Sequence, residues 1–137
     1  MSTFTTPLVV SPLENGRDWK LAEPFKYVVG DEDALFEIKV PTGFVTDFAS
    51  IPRLFWFILH PTGRYGKAAV IHDLCYRGHL FSRAISDGIF LEAMGVLKVS
   101  RWKRSLVYLA VRMGGYWAWK GNLGKVEETR ELMRQTT

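Results

Sequence analysis

The stretch that decides the architecture is AAVIHDLCYRGHLFSRAISDGIFLEAM, residues 68–94. It reads as two helices joined by a short turn. The first spans about Tyr65–Tyr76 and stops near Gly78, a residue type that ends helices readily. The second opens at Ser82, a good N-cap, and runs to about Leu97. The link around Arg77–Phe81 is short, so the two helices are expected to form an antiparallel hairpin. Its centre falls between His79 and Leu80, which leaves His72 and Asp87 equidistant from the turn. Equidistant residues stand at one level, so Asp87 is expected to approach His72 across the helix pair. Tyr76 lies one turn along from His72 on the same face, and Asp73 lies on the adjacent face.

Working outward, the chain stays helical towards its C-terminus. A further helix is predicted over about Arg101–Trp119, ending at Gly121, and a last amphipathic one over about Lys125–Arg134. Before the hairpin, Ile51-Pro52 opens a short segment, Arg53–Leu59, with Ser50 as its cap and Pro61-Thr62-Gly63 as its close. Upstream of residue 50 the pattern changes. Short β-type runs at Pro7–Val10, Trp19–Leu21, Phe25–Val29, Leu35–Val40 and Gly43–Thr46 are separated by turn sequences such as Glu14-Asn15-Gly16. Phe36, Ile38 and Val40 alternate with Glu37 and Lys39, the period-two pattern of a half-buried strand. Strands first and helices later make an α+β fold: an N-terminal antiparallel β-meander packed on a C-terminal group of four to five helices. Residues 1–137 read as a single domain, with a β-rich part at 1–50 and a helical part at 51–137.

Composition narrows the function classes. The chain has 137 residues, 47% of them apolar and 23% charged, the balance of a soluble globular protein rather than a disordered one. Cys75 is the single cysteine, which excludes a disulfide scaffold and a Cys-based zinc site and suits a reducing compartment. The N-terminus lacks the basic and apolar regions of a secretory signal. Residues 1–62 carry a net charge of −3 and residues 63–137 a net charge of +7. The basic half reads either as a solvated helical surface or as a face for an anionic partner. No phosphate loop, RNA-binding aromatic motif or zinc-finger spacing supports nucleic acid. Ser105–Trp119 is too short for a transmembrane span and carries Arg112 near its middle. It is expected to be a buried core helix, with Gly114-Gly115 allowing close packing. The other reading places Tyr116, Trp117 and Trp119, beside Lys120, at a lipid interface.

The His72/Asp87 pair carries the candidate chemistry. A carboxylate bonded to one imidazole nitrogen fixes the tautomer and raises basicity, so the other nitrogen can take a proton from water. Tyr76 can hold Asp87 in place. Asp73 is then left for a hard cation, with backbone carbonyls and water. Asp47, at the junction of strands and helices, reads either as a metal or substrate ligand or as a helix cap. The opposing reading of the hairpin is a buried polar network that only fixes the helix pair. Arg83, one turn before Asp87, is a candidate ion-pair partner for it. His60 and His79 lie in turn regions and look exposed. Ser50 lacks the elbow motif of a serine nucleophile.

His72-Asp73-Leu74-Cys75-Tyr76 resembles the HD-x-x-Y helix of the phospholipase A2 superfamily, over about residues 64–94. The resemblance implies His72 as general base, Asp73 as calcium ligand, and Tyr76 as support for Asp87, which pairs with the base. A wider likeness covers about residues 35–120. TDFASIPR (Thr46–Arg53), AAVIHDLCY and SRAISDGIFLEAM, in that order, are similar to a family of small phage and prophage proteins catalogued as a domain of unknown function. That likeness implies a phage or prophage origin, in host cytoplasm or virion, and supplies no activity.

The leading expectation is a small phage-associated hydrolase, a metal-assisted His/Asp esterase using calcium or another divalent cation, with phospholipid as substrate by analogy. Its catalytic residues would be His72, Asp87 and Tyr76, and its metal ligands Asp73 and Asp47. The alternative is a non-enzymatic virion component or host-interaction protein that binds other phage proteins through Lys98, Arg101, Lys103 and Arg104. A third reading is a peripheral membrane protein acting near host lysis.

Overall fold

The computed structural model describes residues 3–4, 7–15, 18–29, 36–46 and 66–135. Asp47, Ser50, His60 and the segment expected at Arg53–Leu59 lie outside these residues. The described chain is α+β, with six strands followed by four α-helices.

The strands are β1 (Thr3–Phe4), β2 (Val10–Pro12), β3 (Trp19–Leu21), β4 (Phe25–Val29), β5 (Phe36–Val40) and β6 (Val45–Thr46). They divide between two three-stranded antiparallel sheets, ordered β1-β4-β5 and β2-β3-β6. Residues Pro7–Val9, expected as strand, precede the ladder, and pairing starts at Val10 opposite Leu21. In the β4/β5 hairpin Phe25 faces Val40 and Tyr27 faces Ile38. All four of these side chains are buried, so the period-two pattern turns one face inward. The outer face carries Lys26 and Lys39, each within 4 Å of the Glu37 carboxylate (3.8 and 3.5 Å). The β2/β3 turn closes through an Asn–Asp clasp. The Asp18 backbone N–H donates to Asn15 Oδ1 at 2.9 Å, and Asn15 Nδ2 donates to Asp18 Oδ2 at 2.7 Å. Gly43 sits at φ +89° in the turn after β5, a conformation that favours glycine.

The helices are α1 (Gly66–Gly78), α2 (Arg83–Val96), α3 (Arg101–Gly121) and α4 (Val126–Gln135), with a short 3-10 turn at Leu123–Lys125. α1 is the hub, packing against β5 and β6 on one side and against α2, α3 and α4 on the others. Only Lys67 and Arg77 of its thirteen residues are not buried. Its small residues Ala68 and Ala69 let neighbours approach, and Leu21, Phe25, Tyr27, Ile38 and Val40 join Ile71 and Leu74 in one core with Phe90 and Met94 of α2. The Tyr27 hydroxyl donates to Glu92 Oε1 at 2.7 Å and ties the sheet to α2.

The hairpin turn is built by identifiable devices. His79 follows α1 in the left-handed region, at φ 45°. The freed carbonyls of Gly78 and His79 accept from Arg130 Nε at 2.9 Å and Arg130 Nη2 at 3.1 Å, so α4 caps α1. Ser82 caps α2, its hydroxyl accepting from the Ile85 N–H at 3.2 Å. His79, read as exposed, is half-buried instead. Its ring stacks on Trp119 with centroids 3.7 Å apart, and its Nε2 lies 3.1 Å from the Trp119 carbonyl.

α3 departs from its expected place as a buried core helix. Only Val107, Val111 and Gly115 are buried, along one stripe. The reason is partition among the helices: α2 and α4 pack directly on α1, whereas α3 lies mainly on the outside of α2 and needs one face to do so. No helix among the described residues is long and apolar enough to cross a membrane.

Candidate functional site

The hairpin register brings His72 and Asp87 together. His72 Nε2 lies 2.7 Å from Asp87 Oδ1, and the Tyr76 hydroxyl donates to the same oxygen at 2.7 Å. The other carboxylate oxygen, Oδ2, accepts from Arg112 Nη1 on α3 at 2.8 Å. Arg83 Nη1, one turn before Asp87 on α2, stands 3.6 Å from Oδ2 and donates to the Val111 and Arg112 carbonyls. Three helices therefore converge on one carboxylate. Asp87 is 0% exposed and His72 is 3% exposed.

Sequence spacing pointed to His72, Tyr76, Asp87 and Arg83. It did not single out Arg112 as a partner. Its signal was present, since a lone charge in an otherwise apolar stretch calls for a buried counter-charge. Gly115 explains how α3 comes so close. A Cβ there would lie 2.6 Å from the Tyr76 hydroxyl and 3.3 Å from Arg83 Nη1. Its neighbour Gly114 has open space instead, so only one glycine of the pair serves packing.

The electrostatics fix the roles of the atoms. Burial pushes the Asp87 carboxyl up, but the bonds from His72, Tyr76 and Arg112 outweigh it and hold the group below the usual carboxylate range. The Tyr76 hydroxyl is pushed up, first by burial and then by its bond to Asp87. Asp87 is thus an ionised acceptor and Tyr76 a neutral donor. An ionised carboxylate offers no proton, so Nε2 of a neutral His72 must carry the N–H and its lone pair sits on Nδ1. The ring is held between Tyr76 and Phe90, with centroids 4.2 and 4.5 Å away.

Asp73 faces away from this dyad, towards the sheet. Its Oδ2 accepts from the buried Thr46 hydroxyl at the end of β6. Asp47, its expected companion, lies outside the described residues. Among the described residues no three His, Cys, Asp or Glu side chains converge in a way that could hold a metal ion. Asp73 alone does not make a calcium site. Lys98, Arg101, Lys103 and Arg104 follow one another around the start of α3, with Lys98 at φ 62°. Trp119, which only the lipid-interface reading put at a surface, packs inward, edge-on to Tyr76 at 5.2 Å.

Comparison with known proteins finds one family. A model described as a protein of unknown function, DUF1353, matches residues 19–111, from β3 through most of the dyad's three helices. No curated protein and no solved structure matches the chain.

Proposed function

The chain belongs to the DUF1353 family, and from that footing we propose that it is a small hydrolase-like protein of phage or prophage origin. His72 is its base, and Asp87 and Tyr76 are the base's orienting partners. One observation carries the reading: Asp87 Oδ1 is shared by His72 Nε2 and the Tyr76 hydroxyl at 2.7 Å each, which fixes both the tautomer and the direction of the imidazole. In the reaction, Nδ1 takes a proton from water as the water oxygen attacks an ester carbonyl. The imidazolium, stabilised by Asp87, returns that proton to the departing alkoxide, giving acid and alcohol. Phospholipid is the substrate by analogy with the HD-x-x-Y helix.

A second reading is favoured by a different observation. The dyad is covered, with His72 at 3% exposure. A buried polar network of this kind serves to fix the angle of three helices in a non-enzymatic virion or host-interaction protein. Fatty-acid release from anionic phospholipid vesicles, with calcium and with chelator, separates the two. Under the hydrolase reading His72→Gln lowers release by about 10²–10⁴-fold. No release from folded wild-type protein in either condition sinks it and leaves the structural network.

A further inference from the structure

α3 presents two apolar faces. Val107, Val111 and Gly115 are buried against the other helices. On the opposite side Trp102, Leu109, Met113 and Trp117, at spacings of seven, four and four, share one face with Tyr116, and all five are exposed. Trp102 is 60%, Met113 76% and Trp117 74% exposed. These residues run for about 22 Å along the helix. An apolar stripe of this length on a surface marks an interaction site.

The charges around it say what kind of partner it fits. From Ala93 to Val126 the chain has seven Lys and Arg and no Asp or Glu. A cation stands on an aromatic ring at each end of the stripe. Lys103 Nζ lies 5.7 Å from the Trp102 ring centroid, and Lys120 Nζ lies 5.2 Å from that of Tyr116. Exposed Trp and Tyr with adjoining Lys are the composition of a helix lying in the headgroup region of a membrane. A second copy of the chain would bring the same Lys103 and Lys120 cations to the contact, so self-association is electrostatically opposed.

We propose that the outer face of α3 docks the protein flat on an anionic phospholipid surface, with Trp117, Met113 and Trp102 entering the interface and Lys103 and Lys120 at the headgroups. The face lies across the helix from Gly115 and Tyr76, so docking does not require that the His72/Asp87 dyad catalyse anything.

Co-sedimentation with vesicles tests this, comparing phosphatidylcholine alone with an equal mixture of phosphatidylcholine and phosphatidylglycerol. The full chain binds the mixed vesicles and not the neutral ones. Binding falls as salt rises from about 0.1 M to about 1 M, where the screening length shrinks from about 10 to about 3 Å. Lys103→Gln and Lys120→Gln each weaken it about fivefold. Trp117→Ala combined with Met113→Ser weakens it by about tenfold or more, the size expected from withdrawing a fraction of their apolar area. These positions are exposed, so circular dichroism and the urea midpoint stay at wild-type values. Equal binding to both vesicle types, no binding by folded protein, or indifference to both sets of variants overturns the assignment. So does binding to polyglutamate without binding to vesicles, which points to an acidic protein. Dimerisation lost in Trp117→Ala overturns it in favour of a second copy.

Discussion

Replacing Asp87 by Asn changes one atom at the point where three helices meet, and its cost follows from the bonds that atom makes. Asp87 accepts from His72, Tyr76 and Arg112 and is 0% exposed. The amide can satisfy one side only. With its oxygen turned to His72 and Tyr76, its NH2 meets Arg112 Nη1, donor against donor. Arg112 is partly exposed and can turn to water, so this is the less costly arrangement. The loss is then one charge-assisted bond and the nearby Arg83 attraction, about 3 kcal/mol, at the low end for breaking a buried ion pair. Urea unfolding at neutral pH measures it as a lower midpoint at unchanged slope. The pH dependence supplies a second check. The folded carboxyl is held below its ordinary value, so its stabilisation is present above the unfolded value of about 3.9 and is lost as pH falls through the folded one. The gap between wild type and Asp87→Asn is therefore flat near neutrality and closes only below about pH 4. A gap under about 1 kcal/mol, the size of an ordinary surface change, refutes the convergence of three helices on Asp87.

Three further expectations concern the same helices. Gly115→Ala puts a methyl 2.6 Å from the Tyr76 hydroxyl and should cost about 1–3 kcal/mol, whereas Gly114→Ala, with open space, should gain up to about 1 kcal/mol from helix propensity; equal thermal shifts for the two would contradict the packing. Ser82→Ala removes the cap on the Ile85 N–H and should lower stability by about 1 kcal/mol in chemical denaturation. The Cys75 thiol is pushed up to about 12 by burial, against a smaller opposing effect of its bond to Ser86, so a thiol reagent at pH 8 should react only as fast as the protein opens; prompt stoichiometric labelling of native protein would count against a buried thiol.

The helical half was legible because its punctuation is local. Ser82 caps, Gly78 ends, and the equal spacing of His72 and Asp87 from the turn carried the register through to 2.7 Å. The β half was legible as strands but not as sheets. β1 pairs with β4 some two dozen residues later, with the β2/β3 hairpin lying between them in sequence. Nothing in two- and three-residue strands specifies such a partner. Arg112 and Trp119 escaped for a related reason. Their places depend on how α3 rolls against α1 and α2, and an α3 that is apolar on both faces leaves that rotation undetermined by pattern alone. Gly115 and Asp87 settle it in the structure, one by space and the other by charge.

α1 has walls on every side, and only Lys67 and Arg77 reach towards water. Such a helix has no route for fraying in the middle. Its amide protons should exchange with solvent only when the whole molecule opens, so their exchange rates report the global free energy of unfolding. The amides on the outer side of α3 are free of that constraint. His72 and Asp73 lie within α1, so a partly opened form that releases α3 should keep them in place, and a condition that frees them unfolds everything around them.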